Sequence, residues 1–344
     1  MQLRKIGLTT LVTLLAGIST PVSLTAKAYA LSSQSNPEHL EIVQSQSDEL
    51  NQWLKQGDSF LDKNNYAQAL KAYEQAIGIN SNSPGAWGGR GEALYGLKQY
   101  KEAIASFQRA INLNPKLIAA WVGLGNALDD AGKPEQALGA YEQALRLNPN
   151  SATAWFNQGI TLGRLQRHEE AIASYDKAVG INPEYDSAWL NRGNDLADLK
   201  RYEDAISSYN RAISINPNKD SAWLNRGLAL EKLKRYEEAY SSFDKVAQLN
   251  PNRAIGWFKR GNALLRMQRY QEAIASYDKT LRIEPKSEAA WFNRGLALAN
   301  LKQYQEAINA FDEALKINPN NAQAQQNRDL LEKQVRRPAA TEVV

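Results

Sequence analysis

All eight tryptophans of this 344-residue chain stand at one interval: Trp53, Trp87, Trp121, Trp155, Trp189, Trp223, Trp257 and Trp291, each 34 residues after the last. A period of that size implies stacked units, each too small to bury its own apolar face without a neighbour. The same register carries a glycine four residues after every Trp, from Gly57 to Gly295, and an alanine sixteen after, from Ala69 to Ala307. Twenty after comes a ring: Tyr73, Phe107, Tyr141, Tyr175, Tyr209, Phe243, Tyr277 or Phe311. Prolines close the later units at Pro115, Pro149, Pro183, Pro217, Pro251, Pro285 and Pro319, with Ser81 in that place in the first.

Within one unit, Ser287 to Pro319, the spacing of Trp291, Gly295 and Leu298, then of Ala307, Phe311 and Ala314, follows one face of a helix. Two helices per unit follow, joined by a turn at Leu301-Lys302-Gln303-Tyr304 and ended by Asn318-Pro319, since proline cannot continue the backbone ladder. Small Gly and Ala let the helices approach closely, and the Trp ring fills space between neighbours.

Trp, Gly, Ala, Phe or Tyr, Ala and Pro at this period resemble the tetratricopeptide repeat family over Leu50 to Asn321, in eight units. The resemblance implies an all-α, right-handed superhelical solenoid whose first helices line a concave groove that takes an extended peptide or a partner helix. Residues 322–337 are expected to form a capping helix with Leu330 and Leu331 as its apolar contacts, and 338–344 a frayed tail. The polar stretch 31–49 is expected to be a linker. Such flanks resemble those of exported bacterial arrays, cyanobacterial ones among them.

In the geometry that the resemblance implies, residues just after each Trp face the groove. The first column is apolar in the later units: Phe156, Leu190, Leu224, Phe258 and Phe292. The next holds Asn157, Asn191, Asn225 and Asn293, and a further one holds Asn126, Asn194 and Asn262. An Asn side chain both donates to and accepts from a peptide backbone, so a ladder of them would hold an extended chain without reading its sequence. Asn is also an average residue at these places in such repeats, so a structural role stands beside the binding one. The family's clamp for a C-terminal carboxylate needs a Lys directly after the Trp, and no unit has it.

Arginine stands three residues after Trp at Arg90, Arg192, Arg226, Arg260 and Arg294. Sixteen residues before these lie Glu74, Asp176, Asn210, Asp244 and Asp278, on the preceding unit's second helix. That offset predicts ion pairs between units, with the planar fork of Arg suited to the geometry. Unit two is unusual: Gly85, Gly88, Gly89 and Gly91 crowd its first helix, each costing about 1 kcal/mol of helix stability relative to Ala. A weak turn, a flexible joint, and room for a ligand backbone are the readings open for it. Thr280 and Val246 replace the small Ala of the second helix.

The first thirty residues read as a secretory signal, with Arg4 and Lys5 before an apolar run from Ile6 to Ile18 and small-x-small sites ending at Ala28 and Ala30. Cleavage after Ala30 places the chain outside the cytoplasm, in periplasm, lumen or medium, with no stable membrane insertion afterwards. The chain has 41 Lys and Arg against 37 Asp and Glu, but without Arg4, Lys5 and Lys27 the balance is 38 to 37, so no nucleic-acid partner is expected. There is no Cys, which removes disulfides and thiolate chemistry. Of the two histidines, His39 lies in the linker, and His168 fills a column held elsewhere by Tyr100, Tyr202, Tyr236, Tyr270 and Tyr304, as a packing substitute. No catalytic constellation, metal or cofactor is expected. The expected function is a non-catalytic protein- or peptide-binding scaffold; self-association and glycan or cell-wall binding are the competing classes.

Overall fold

The computed structural model describes residues 37–336. The expected signal segment, the first part of the expected linker and the tail from 338 lie outside the described residues.

Seventeen helices are found among the described residues. They are α1 Pro37–Asp62 and α2 Tyr66–Ile79; α3 Pro84–Gly96 and α4 Tyr100–Leu113; α5 Ile118–Asp130 and α6 Pro134–Leu147; α7 Ala152–Arg164 and α8 His168–Ile181; α9 Asp186–Asp198 and α10 Tyr202–Ile215; α11 Asp220–Lys232 and α12 Tyr236–Leu249; α13 Ala254–Arg266 and α14 Tyr270–Ile283; α15 Glu288–Asn300 and α16 Tyr304–Ile317; and last α17 Ala322–Arg336. The fold is all-α, and the odd and even helices are the first and second helices of the repeats read from the sequence.

Chain contacts divide the molecule into two compact units, one ending at Glu170 and the other beginning at Ala171. In each, a first helix packs on its own second helix and on the second helix before it, and first helices of neighbouring repeats also touch. That contact places the first helices on the inner side of each unit.

Seven glycines of the Trp-plus-four column face the ring of their own repeat's second helix. A Cβ built at Gly57, Gly91, Gly125, Gly193, Gly227, Gly261 or Gly295 would lie 2.4 to 2.7 Å from that ring. The rings are buried, none more than 2% exposed. Each Trp indole from Trp87 to Trp291, save the first repeat's, donates through Nε1 to the carbonyl six residues earlier, at 2.8 to 3.0 Å. The acceptors are the closing prolines and, in the first case, Ser81, which keeps the bond because only its backbone is used. The Trp therefore ties each repeat to the loop that closes the one before.

Val246 is wholly buried, and Gly256 stands beside it where other repeats have Ala; a Cβ there would lie 3.0 Å from Val246 Cγ1. One extra branch is thus matched by one missing methyl group. Thr280 is also buried, and its hydroxyl donates to the Ser276 carbonyl at 3.1 Å.

One expectation is corrected. Residues 37–49 of the expected linker are helical, as the first half of α1. Pro37 fixes a helical backbone angle at the first helical position, and no Gly or Pro follows until Gly57. This extension packs on little: Ile42 and Val43 are 55% and 51% exposed. The capping helix, by contrast, is found at Ala322–Arg336, capped by Asn321, whose side chain accepts from the Ala324 N–H at 2.9 Å.

Candidate binding surface on the first helices

The Asn columns meet in pairs across repeat boundaries. The Tyr141 hydroxyl donates to Asn126 Oδ1 at 2.9 Å, and Asn157 Nδ2 donates to the same oxygen at 2.8 Å. The triad recurs with Tyr209, Asn194 and Asn225 at 3.0 and 2.8 Å, and with Tyr277, Asn262 and Asn293 at 3.0 and 2.9 Å. A buried phenol thus fixes the amide of its own repeat, which in turn fixes the amide of the next. Burial first of all, with nearby carboxylates adding, pushes the Tyr209 hydroxyl well above its ordinary range, so it stays a donor.

The triads recur every second repeat. Where the second-helix ring is Phe243 or Phe311, the partner position holds Leu228 or Leu296, and no hydroxyl has to be satisfied. In repeat one Asp58 takes the place of Asn and accepts from Tyr73 at 2.7 Å. Burial pushes the Asp58 carboxyl above its usual range, further than the Tyr73 hydrogen bond lowers it, and the Asp62 charge adds to the rise.

Among the expected groove residues, Asn157, Asn225 and Asn293 each spend one amide hydrogen on this network and keep a carbonyl oxygen clear of it. Asn191 accepts weakly from Asn194, at 3.4 Å. The apolar column is less available than the resemblance implies. Phe156 is 3% exposed and is a core residue. Phe258 and Phe292 lean on the rings of Tyr277 and Phe311, with centroids 6.2 and 5.7 Å apart, and Leu190 and Leu224 pack half-buried on the core beneath. The physical reason is the glycine column: it draws the second-helix ring against the first helix, within reach of the residue after Trp.

The arginine column is paired as its spacing predicts. Arg192, Arg260 and Arg294 reach Asp176, Asp244 and Asp278 at 2.6, 2.7 and 2.7 Å; Arg90 reaches Glu74 at 3.3 Å; Arg226 donates to Asn210 at 2.7 Å. Arg90, Arg192, Arg226 and Arg260 also donate to Ser106, Ser208, Ser242 and Ser276, sixteen residues later, at 2.6 to 2.7 Å. Each of the five guanidinium groups lies over its repeat's own Trp ring, 5.7 to 6.0 Å from the centroid. These arginines bind three successive helices and are not ligand hooks. The serine is the partner that the sequence reading missed; its signal was a Ser one residue before the second-helix ring.

In repeat two, α3 is a complete helix, opened by Ser83, whose hydroxyl accepts from Ala86 N–H at 3.3 Å. Gly89 lies against the Tyr73 ring and Gly91 against that of Phe107, so both are packing glycines. Gly85 has nothing within 4 Å of its missing Cβ, and Gly88 only Leu117 Cδ2 at 3.8 Å. His168 opens α8 in the Tyr column and is half-buried.

A stack of paired helices with this inter-repeat bonding is a helical repeat protein. Residues 54–117, 122–186 and 258–322 match one tetratricopeptide repeat model, and 193–234 and 221–253 match two more of the same kind, so the chain belongs to the tetratricopeptide repeat family. No curated protein matches it. Similar solved structures include YrrB, described as a TPR protein with an unusual peptide-binding site, at 26% identity over 54% of this chain and 95% of that one, with a TM-score of 0.49. Pseudomonas aeruginosa pilF is 20% identical over 63% of this chain and 97% of its own, with a TM-score of 0.49. A chain of the APC/C hetero-tetramer Cut9-Hcn1 is 15% identical over 81% and 55%, with a TM-score of 0.47. No described helix is long and apolar enough to cross a membrane.

Proposed function

We propose that this chain is a non-catalytic scaffold that works outside the cytoplasm and binds a protein or peptide partner on the inner, first-helix side. The observation that carries the proposal is the set of Asn pairs, whose outer amides Asn157, Asn225 and Asn293 are held in fixed orientation by buried tyrosines and keep bonding capacity unspent. A preorganised donor and acceptor loses less entropy on binding than a free side chain does. The signal-like start, Arg4 and Lys5 before Ile6 to Ile18, supports the location.

The test is capture from an exported fraction with two baits: the native chain and one carrying Asn157→Ala, Asn191→Ala, Asn225→Ala and Asn293→Ala. These changes leave the rings and the glycine column untouched, so the control folds. Partners kept by the native bait and lost by the control support the scaffold; equal capture by both removes this surface from it. Intact mass of the exported chain should correspond to a start at Leu31, and a mass retaining Met1 would contradict signal cleavage.

A further inference from the structure

Three first helices of the second compact unit carry two polar residues two turns apart: Asn225 and Lys232 on α11, Lys259 and Arg266 on α13, Asn293 and Asn300 on α15. Residues seven apart share a helix face, so Lys232 and Arg266 stand on the same inner side as the amide column. Lys259 marks that face, since its Nζ donates across to Glu231 on α11 at 3.2 Å. The Arg266 charge also reaches the triad of Asn262, where it opposes the rise that burial causes at the Tyr277 hydroxyl.

The charges of α11, α13 and α15 pair off and leave two cations over. Asp220 accepts from Asn250 and Arg253 at 2.8 and 2.6 Å, Glu231 is held by Lys259, and Glu288 accepts from Asn321. Arg226, Arg260 and Arg294 are bound to the second helix before them. Lys232 and Arg266 remain. Both are exposed, and among the described residues no ion pair or hydrogen bond reaches either. They lie in last helical turns, where the helix dipole favours a cation. The dipole does not demand one, since Asp198 and Asn300 hold the same place in α9 and α15.

We propose that the inner side of repeats six to eight takes an acidic extended peptide, its side-chain carboxylates on Lys232 and Arg266 and its backbone on Asn225 and Asn293. This occupant rests on the scaffold function proposed above and adds the partner's chemistry. Two unspent cations, with every acid of the three helices already engaged, select a carboxylate by charge complementarity. Packed neighbouring helices lie about 8–10 Å apart, which is about three residues of an extended chain at about 3.3 Å each. The partner's acids are therefore expected three residues apart. They are read inside a sequence, unlike the chain end held by the family's carboxylate clamp, whose Lys no unit has.

The test is titration of the full chain with peptides of about nine residues, long enough to span roughly 30 Å, carrying two Glu three apart, or Gln or Lys in their places. Acetylated and amidated ends remove terminal charge, so only the side chains differ. At about 0.01 M salt the Glu peptide should bind roughly tenfold more tightly than the Gln peptide, and the difference should vanish near 1 M. Lys232→Glu with Arg266→Glu should transfer the preference to the Lys peptide, a result that no misfolded variant can give. Asn225→Ala with Asn293→Ala should weaken the Glu and Gln peptides alike and keep their ratio. Equal binding of the Glu and Gln peptides overturns the proposal, as does a Glu preference kept by the reversed variant, or no binding of the Glu peptide up to about 1 mM. Equal binding that the Asn variant loses would overturn the acidic partner and leave the scaffold function standing.

Discussion

Gly261 and Gly85 are both helix glycines, and only what surrounds them tells them apart. A methyl group at Gly261 would meet the Tyr277 ring at 2.7 Å, while at Gly85 it would meet nothing within 4 Å. Gly261→Ala should therefore cost about 1–3 kcal/mol through overpacking, and Gly85→Ala should stabilise α3 by up to about 1 kcal/mol through its gain in helix propensity. Urea midpoints of the two variants check this; equal shifts would show that ring contact does not set the glycine column. Asp58 gives a second residue-scale prediction. Its folded pKa lies above the unfolded value of 3.8, so its ionised form costs stability at neutral pH, and the cost is relieved as pH falls through the raised value. Asp58→Asn, which copies Asn126, Asn194 and Asn262, should raise the stability of repeat one at pH 7, with the gain shrinking towards pH 4 and absent below it. A gain independent of pH would assign it to packing. At this scale the Gly, Trp and Arg roles were legible from spacing alone, because each rests on one fixed offset. Pairing of the Asn columns was not read, although its signal is present: Tyr fifteen residues after one Asn and a second Asn thirty-one after it, recurring every second repeat. The 34-residue periodicity does not display it, because the hydrogen bonds run between columns and not along one.

The turns between paired helices repeat one backbone conformation. Asn64, Lys98, Gln166, Lys200, Lys234, Gln268 and Lys302 have φ between +57° and +62°, and the equivalent Gly132 has φ +74°. The left-handed region costs a residue with a Cβ about 1 kcal/mol that glycine escapes. The tight reversal nonetheless demands it, since the N–H after it must bond back to the helix: Arg235 N–H reaches the Leu230 carbonyl at 3.0 Å. Lys200→Gly and Lys234→Gly should each raise stability by about 0.5–1 kcal/mol, less the entropy that glycine adds to the unfolded chain. Chemical denaturation of the double variant should show roughly the sum, and a loss would show that the turn does not strain the lysines. The sequence placed these turns correctly but not their handedness, because Lys and Gln give no left-handed signal. The helical first half of α1 was missed for a related reason: polar, serine-containing composition describes solvent exposure, which a protruding helix and a linker share.

Across the molecule, stability is built from repeat to neighbour, so the way the stack ends matters. Helix α17, the last described helix, continues the repeat register as a first helix. Ala324 takes the place before Trp, Arg328 takes the arginine place and reaches Asp312 at 3.3 Å, sixteen residues back, and Leu331 fills the inner alanine place. Asp329 occupies the glycine place, and there the device stops, since a carboxylate side chain occupies the space into which a second-helix ring would fit. The helix lies where the sequence reading expects one, and the register explains how it packs on the last repeat. Leu331 joins the cluster of Phe311, Leu315 and Leu298, and Leu331→Ala should cost about 2–4 kcal/mol. Because coupling passes mainly between neighbours, hydrogen exchange in the variant should accelerate in α16 and α15 first and leave α9 and α10 near native protection. Uniform acceleration across all repeats would show instead that the array unfolds as one cooperative body, with the cap acting on the whole and not on the last hairpin.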